Sequence, residues 1–206
     1  SGWQHNNNHV VDTIKAAINM GYRYIDTSAI GGNEQSVGQA IKESNIARSQ
    51  LFVATKVWNH DQGYEETLRA FEHSRQQLNL DVVDLYLIHW PKKGKTEATW
   101  RALEKLYRDK KVKSIGVSNF RVSDLELLLR VATINPSCNQ IELHPYFLQL
   151  SLRQYCTQQN IQIIGWSPLG SGSWSKISSQ EKPINDPAIK SIAKEHKVSP
   201  AQIILK

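Results

Sequence analysis

The feature that most constrains this chain is an alternation. Short apolar, β-rich runs recur along it, and helix-like segments separate them. The candidate strands are Tyr22–Asp26, Leu51–Lys56, Val83–His89, Lys113–Val117, Asn139–Leu143 and Ile161–Trp166. They are rich in Ile, Val, Leu and Tyr and nearly continuous in apolar character, as strands covered on both faces should be. Between them, Val10–Met20 ends at Gly21, a plausible helix-terminating glycine. Tyr64–Leu78 carries Leu68, Phe71, Ser74, Arg75 and Leu78 along one helical face, and Thr96–Asp109 spaces Trp100, Leu103, Leu106 and Tyr107 by three and four residues. Ser123–Arg130 opens on Ser-Asp-Leu-Glu, which predicts a capping box built on Ser123.

Strict strand–helix alternation implies a parallel sheet with right-handed crossovers. Six such units in a row favour a (β/α)8 TIM barrel over an open doubly wound sheet. No G-x-G-x-x-G follows the first strand, and no G-x-x-x-x-G-K-[ST] occurs anywhere. A barrel of this kind usually takes about 250 residues. With 206 residues and about six of eight strands recognisable, the expectation is one barrel domain over residues 1–206, incomplete in this chain. The last residues, Ile203-Ile-Leu-Lys206, fall inside a helix that Ser199-Pro200 would start, which reads as a truncation.

Composition narrows the partners. Hydrophobic residues make up 40% and charged residues 21% of the chain, an ordinary globular balance. No apolar run is long enough to span a bilayer, so no membrane partner is expected. The net charge is +6, with lysines grouped at Lys92, Lys93 and Lys95 and at Lys110, Lys111 and Lys113. Neither group is interleaved with aromatics as a stacking platform for nucleic acid would be, so a solvated basic surface is expected and no nucleic acid. The two cysteines, Cys138 and Cys156, read as isolated buried thiols, which places the protein in the cytoplasm. No metal is expected.

In barrel enzymes the chemistry sits where strands end. The first three strands end in Asp26, Lys56 and His89. Singly, each has a dull explanation: a helix cap, a strand end reaching solvent, a satisfied core imidazole. Together they bring an acid, an ammonium and an imidazole to one face. An aspartate beside a lysine keeps that lysine charged, which is machinery for moving a proton at a carbonyl oxygen.

These residues lie in motifs that resemble the aldo-keto reductase family, in a bacterial-type form. The run Gly21-Tyr-Arg-Tyr-Ile-Asp-Thr-Ser-Ala29, followed by Gly32-Asn-Glu-Gln-Ser-Val-Gly38, resembles the segment around the family's catalytic aspartate and tyrosine. Ala54-Thr-Lys-Val-Trp58 resembles the lysine segment, and Asp84-Leu-Tyr-Leu-Ile-His-Trp-Pro91 the histidine segment. Gly116-Val-Ser-Asn-Phe120, Asn139-Gln-Ile-Glu-Leu-His-Pro145 and Trp166-Ser-Pro-Leu-Gly170 resemble the nicotinamide-side segments. The resemblance implies an oxidoreductase that uses NADPH to reduce a small-molecule carbonyl substrate. It implies that Lys56, paired with Asp26, tunes the proton donor and that His89 orients the carbonyl. Ser118, Asn119 and Gln140 would bind the carboxamide, Trp166 would stack on the nicotinamide, and Ser167, Pro168, Leu169 and Ser171 would belong to the loop around the pyrophosphate. Trp58 and Trp90 would line an apolar substrate pocket.

The chain departs from the pattern at one position. Where the family carries its proton-donating tyrosine, after Thr27-Ser-Ala-Ile30 and before Gly32-Asn-Glu34, this sequence has Gly31. Impaired reduction is therefore expected, and the alternative is a non-catalytic protein that binds or senses the nicotinamide cofactor on the same fold. The resemblance also implies a hairpin and first barrel strand ahead of Trp3, and a further helix, strand and C-terminal segment beyond Lys206.

Overall fold

The computed structural model describes residues 7–170 and 182–206. The chain groups into two compact units, one up to Cys138 and one from Asn139.

The first unit is built of four parallel strands, β1 (Tyr24–Asp26), β2 (Phe52–Val57), β3 (Val83–Ile88) and β4 (Val112–Ser118), adjacent in that order. Register is fixed by pairs such as Asp26 with Ala54, Val57 with Ile88, and Ile88 with Val117. Helices α1 (Asn7–Asn19), α2 (Glu34–Glu43), α3 (Tyr64–Leu78), α4 (Thr96–Arg108) and α5 (Val122–Leu129) complete it. All six residues of β3 are buried, as its nearly continuous apolar run predicts for a strand covered on both faces.

Local chemistry explains where these elements start and stop. After α1, Gly21 takes φ 99°. Its N–H donates to the Ile18 carbonyl at 3.0 Å, and the Tyr22 N–H to that of Ala17 at 3.0 Å. This is the paired hydrogen bonding of a glycine-terminated helix, and it consumes Tyr22, so β1 begins two residues later than its apolar run suggests. On α3 the buried residues are Thr67, Phe71, Ser74 and Leu78, with Leu68 only half-buried. The predicted Ser123 capping box is not the one formed. Helix α5 starts at Val122, and Asp124 Oδ2 accepts the Arg121 N–H at 2.9 Å, so the reciprocal contact lies two residues nearer the N-terminus. Close approach of α2 to the end of α3 needs Gly38, because a Cβ there would stand 2.4 Å from the Leu78 carbonyl oxygen.

One buried carboxylate ties the strand starts together. Asp84 of β3 accepts the Val53 N–H at 2.9 Å, sits 2.6 Å from Lys113 Nζ, and is also bound by Arg48. Burial alone would raise its pKa, but Lys113, the Val53 N–H and Arg48 outweigh that and hold it below the usual carboxylate value. Trp100 of α4 is buried and satisfies its indole N–H on the Ile134 carbonyl at 3.1 Å.

In the second unit, β5 (Cys138–Glu142) and β6 (Gln162–Trp166) are neighbours, and the Leu143 N–H donates to the Trp166 carbonyl at 3.2 Å. Helix α6 (Leu150–Gln158) joins them, and α7 (Pro187–Glu195) and α8 (Pro200–Leu205) follow. As predicted, Ser199 caps α8, its hydroxyl accepting the Gln202 N–H at 3.3 Å. Both cysteines are free and buried. Among the described residues no helix is long and apolar enough to cross a membrane, and no cluster of His, Cys, Asp and Glu is suited to a metal ion.

Candidate active site

The parallel register sets Asp26, Lys56 and His89 at or just beyond the ends of β1, β2 and β3. The Lys56 ammonium donates to Asp26 Oδ2 at 2.6 Å and to the Thr27 carbonyl at 2.9 Å. Lys56 is 4% exposed, so its charge is compensated by the carboxylate it touches rather than by water. Two residues before Asp26 on the same strand face, Tyr24 places its hydroxyl 3.4 Å from Asp26 Oδ1. That contact was not anticipated from sequence, although period-two alternation along the strand gives the signal for it.

His89 stands beside this pair. Burial and the neighbouring Lys56 ammonium push its pKa down to about 4, against a smaller opposing pull from Asp26. The imidazole is therefore neutral near pH 7, and its buried Nδ1 has no hydrogen-bond partner among the described residues. The Trp58 ring meets it edge-on, with centroids 5.0 Å apart and planes at 78°. Trp58 is half-buried, whereas Trp90 is 42% exposed, so of the two expected pocket tryptophans only Trp58 is in ring contact with the histidine.

The loops carrying these rings are laced together by a residue that sequence reasoning missed. Gln62, 2% exposed, donates from Nε2 to the Trp90 carbonyl at 2.7 Å and to Asn59 Oδ1 at 3.1 Å. Lys92 Nζ donates to the Asn59 carbonyl at 3.0 Å. Neither contact follows from a spacing rule, because each joins loops about thirty residues apart.

Gly31 closes a short 3-10 turn, Ala29–Gly31, and its N–H donates to the Ser28 carbonyl at 3.0 Å. Its backbone is not in the left-handed region. A Cβ at this position would stand 3.1 Å from Asn33 Oδ1 and 3.5 Å from Ser28 Oγ. A side chain here therefore needs Asn33 to yield by a few tenths of an ångström, against its 2.7 Å hydrogen bond from the Thr27 hydroxyl.

At the end of β4, Ser118 is buried, and Asn119 adopts φ 62°. The Asn119 amide donates to the His89 carbonyl and to Ser118 Oγ, both at 3.0 Å, which joins this pair to the histidine's own backbone. In the second unit Gln140 is buried on β5. Trp166 ends β6, and Ser167 turns the chain at φ 52° with its carbonyl accepting the Gly170 N–H at 3.0 Å. Pro168 and Leu169 are half-buried within that turn. Ser171 lies outside the described residues.

The strand ends thus bring a buried acid–ammonium pair and a neutral imidazole together at the C-terminal side of three adjacent parallel strands. The sequence matches the aldo/keto reductase family over residues 1–206, and the chain belongs to that family. It is 52% identical over 201 residues to glyoxal reductase of Bacillus subtilis, covering 98% of this chain and 70% of that protein. It is 51% identical to 9,11-endoperoxide prostaglandin H2 reductase of Trypanosoma cruzi, covering 95% of this chain and 67% of that one. Among solved structures, an aldo/keto reductase from Brucella melitensis superposes with a TM-score of 0.89 at 49% identity, covering 98% of this chain and 75% of its own. A mutant of Gox0644 in complex with NADPH superposes at 0.88 with 38% identity, covering 98% of this chain and 71% of its own. The fold is thus the (β/α)8 barrel of this family, with six of its strands among the described residues.

Proposed function

We propose that the chain reduces aldehydes or ketones to alcohols with NADPH, at a rate limited by Gly31, and that Asp26, Lys56 and His89 carry the proton chemistry. The observation that carries this reading is the buried Lys56 ammonium, 2.6 Å from Asp26 Oδ2, with a neutral imidazole beside it.

The residues present fit the cofactor by their chemistry: a buried hydroxyl and two amides, Ser118, Asn119 and Gln140, suit a carboxamide, and Trp166 offers an aromatic face. Ser167, Pro168 and Leu169 would follow it toward the pyrophosphate. When bound, NADPH supplies the hydride. The chain's task is then to orient the carbonyl and protonate the oxygen. His89, with its pKa near 4, holds no dischargeable proton at neutral pH and serves as a hydrogen-bonding group that orients the oxygen. Lys56 is the remaining acid. Among the described residues Asp26 and the Thr27 carbonyl take two of its three N–H bonds, and the third would serve the substrate oxygen. The proton passes from Nζ to the alkoxide, and solvent restores it.

An ammonium engaged with a carboxylate is a slower donor than a phenol placed for the purpose. A positioned general acid is worth about 10² to 10⁴ in rate. Gly31→Tyr should therefore raise kcat by about that factor, provided that Asn33 gives the few tenths of an ångström that a Cβ at position 31 requires. NADPH oxidation with a reactive aldehyde, followed by absorbance, measures it, and no gain in a folded Gly31→Tyr protein overturns the account.

Gly31 also favours a second reading, a protein that binds NADPH without turning it over. Fluorescence titration showing saturable NADPH binding, with no oxidation in either form, would establish that reading instead.

A further inference from the structure

The register of β2 and β3 sets Val57 beside Ile88, so Trp58 and His89 leave the sheet side by side. The two loops that follow face each other. The loop after β3 runs Trp90-Pro-Lys-Lys-Gly-Lys95 and contains three lysines and no acid. All three are exposed, and none lies within 4.0 Å of a carboxylate among the described residues.

These lysines are not equivalent. Lys95 Nζ and Glu66 both stand beside Gly63, at 3.7 and 2.3 Å from where its Cβ would be, so Glu66 offsets that charge. Lys92 instead reaches the loop after β2, and its ammonium is held 3.0 Å from the Asn59 carbonyl, one residue beyond Trp58. Gln62 grips the same Asn59 through its side chain and Trp90 through its carbonyl, which fixes the crossing point. Asp61 lies in the same loop as Asn59, with its carboxylate 3.1 Å from His60 Nδ1. The result is a cation held against the loop that carries Trp58, the ring in contact with His89, with the exposed Lys93 next in sequence.

We propose that this rim selects carbonyl substrates bearing an anionic group, carboxylate or phosphate, at the end remote from the carbonyl, with Lys92 as the specificity-determining residue and Gln62 as the residue that positions it. The inference rests on the carbonyl-reducing function proposed above. A cation at the low-dielectric edge of a cleft raises the local concentration of an anion and holds it on arrival, without taking part in the chemistry.

A matched charge series tests this: 4-carboxybenzaldehyde, 4-(hydroxymethyl)benzaldehyde and 4-(trimethylammonio)benzaldehyde, with NADPH, in the unaltered chain and in Gly31→Tyr. The expected order of kcat/KM is anionic, neutral, cationic, with anionic over neutral on the order of threefold to tenfold at low salt. That ratio should shrink toward one near 1 M salt, where the screening length is about 3 Å. Lys92→Gln should cut the ratio, Lys92→Arg should restore it, and Gln62→Leu should lower it with Lys92 intact. If Lys92→Gln slows all three aldehydes equally, Lys92 is a structural tie and the proposal fails. It fails too if the unaltered chain shows no preference by charge.

If neither form reduces any of the three, the carbonyl-reducing reading fails by itself. The rim is then judged by tryptophan fluorescence quenching with 4-carboxybenzyl alcohol against 4-methylbenzyl alcohol. Tighter, salt-sensitive binding of the carboxylate, lost in Lys92→Gln, upholds the rim, and equal binding overturns it.

Discussion

His89 shows how much a single side chain's surroundings decide. Its position at a strand end was legible as a candidate, and so was the pairing of Asp26 with Lys56, because each closes a largely apolar, β-rich run. Its protonation state was not legible, since that depends on burial and on the distance of an ammonium. With a folded pKa of about 4 against an ordinary value of 6.5, His89 binds its proton less readily folded than unfolded. Between those values the unfolded chain holds more protons, so stability contributed by His89 is present above about pH 6.5 and is lost as pH falls through the folded value of about 4. The effect is at most about 3.5 kcal/mol, because one pKa unit corresponds to about 1.4 kcal/mol. Urea unfolding of the native chain and of His89→Gln, followed from pH 7 to pH 4, should show a steeper decline in the native chain. Parallel declines would mean that the imidazole is not held neutral by the fold.

At the scale of elements, Asp84 binds three strands and a turn through one carboxylate. It gathers the Val53 N–H of β2, Lys113 of β4, and Arg48 from the turn ahead of β2. Its folded pKa is depressed, so the stability it contributes is present above the ordinary carboxylate range and is lost as pH falls through the lower folded value. Asp84→Asn should cost about 2–4 kcal/mol at pH 7, less than a fully buried pair because Arg48 and Lys113 keep contact with water. The cost should diminish at a second, acid pH, because the native carboxylate itself takes up a proton as pH falls through its depressed folded value. Denaturation midpoints at the two pH values measure both effects, and an equal cost at both would remove the charge from the explanation. Nothing in the sequence singles out Asp84, because a carboxylate inside Val-Asp-Leu-Tyr-Leu-Ile reads only as an interruption of an apolar run. The strand cores, by contrast, were legible from composition, and their ends shifted only where a neighbouring motif claimed residues. Tyr22 went to the glycine-terminated helix, and the start of α5 went to Asp124 in place of Ser123. Gln62 escaped for a similar reason: its partners lie on another loop, and sequence spacing carries no trace of them.

At the scale of the molecule, the alternation of strand and helix was enough to name the barrel class, because only a few architectures bury both faces of a parallel sheet. Alternation does not say how deeply each strand is buried, and here the strands differ. Every residue of β3 is buried, and five of six in β2, while every residue of β6 is either exposed or half-buried. Amide groups exchange with solvent through local openings whose cost follows burial and contact density. Exchange should therefore be slowest at Leu85, Tyr86 and Leu87, where side chains are 3%, 0% and 0% exposed and backbone bonds run to both neighbouring strands. It should be faster along Gln162–Trp166, although those amides are also in a strand. Hydrogen–deuterium exchange read by peptide mass spectrometry gives both segments in one experiment. If β6 proves as protected as β3, side-chain burial is not what sets the order of opening, and the strand hydrogen bonds alone would have to account for it.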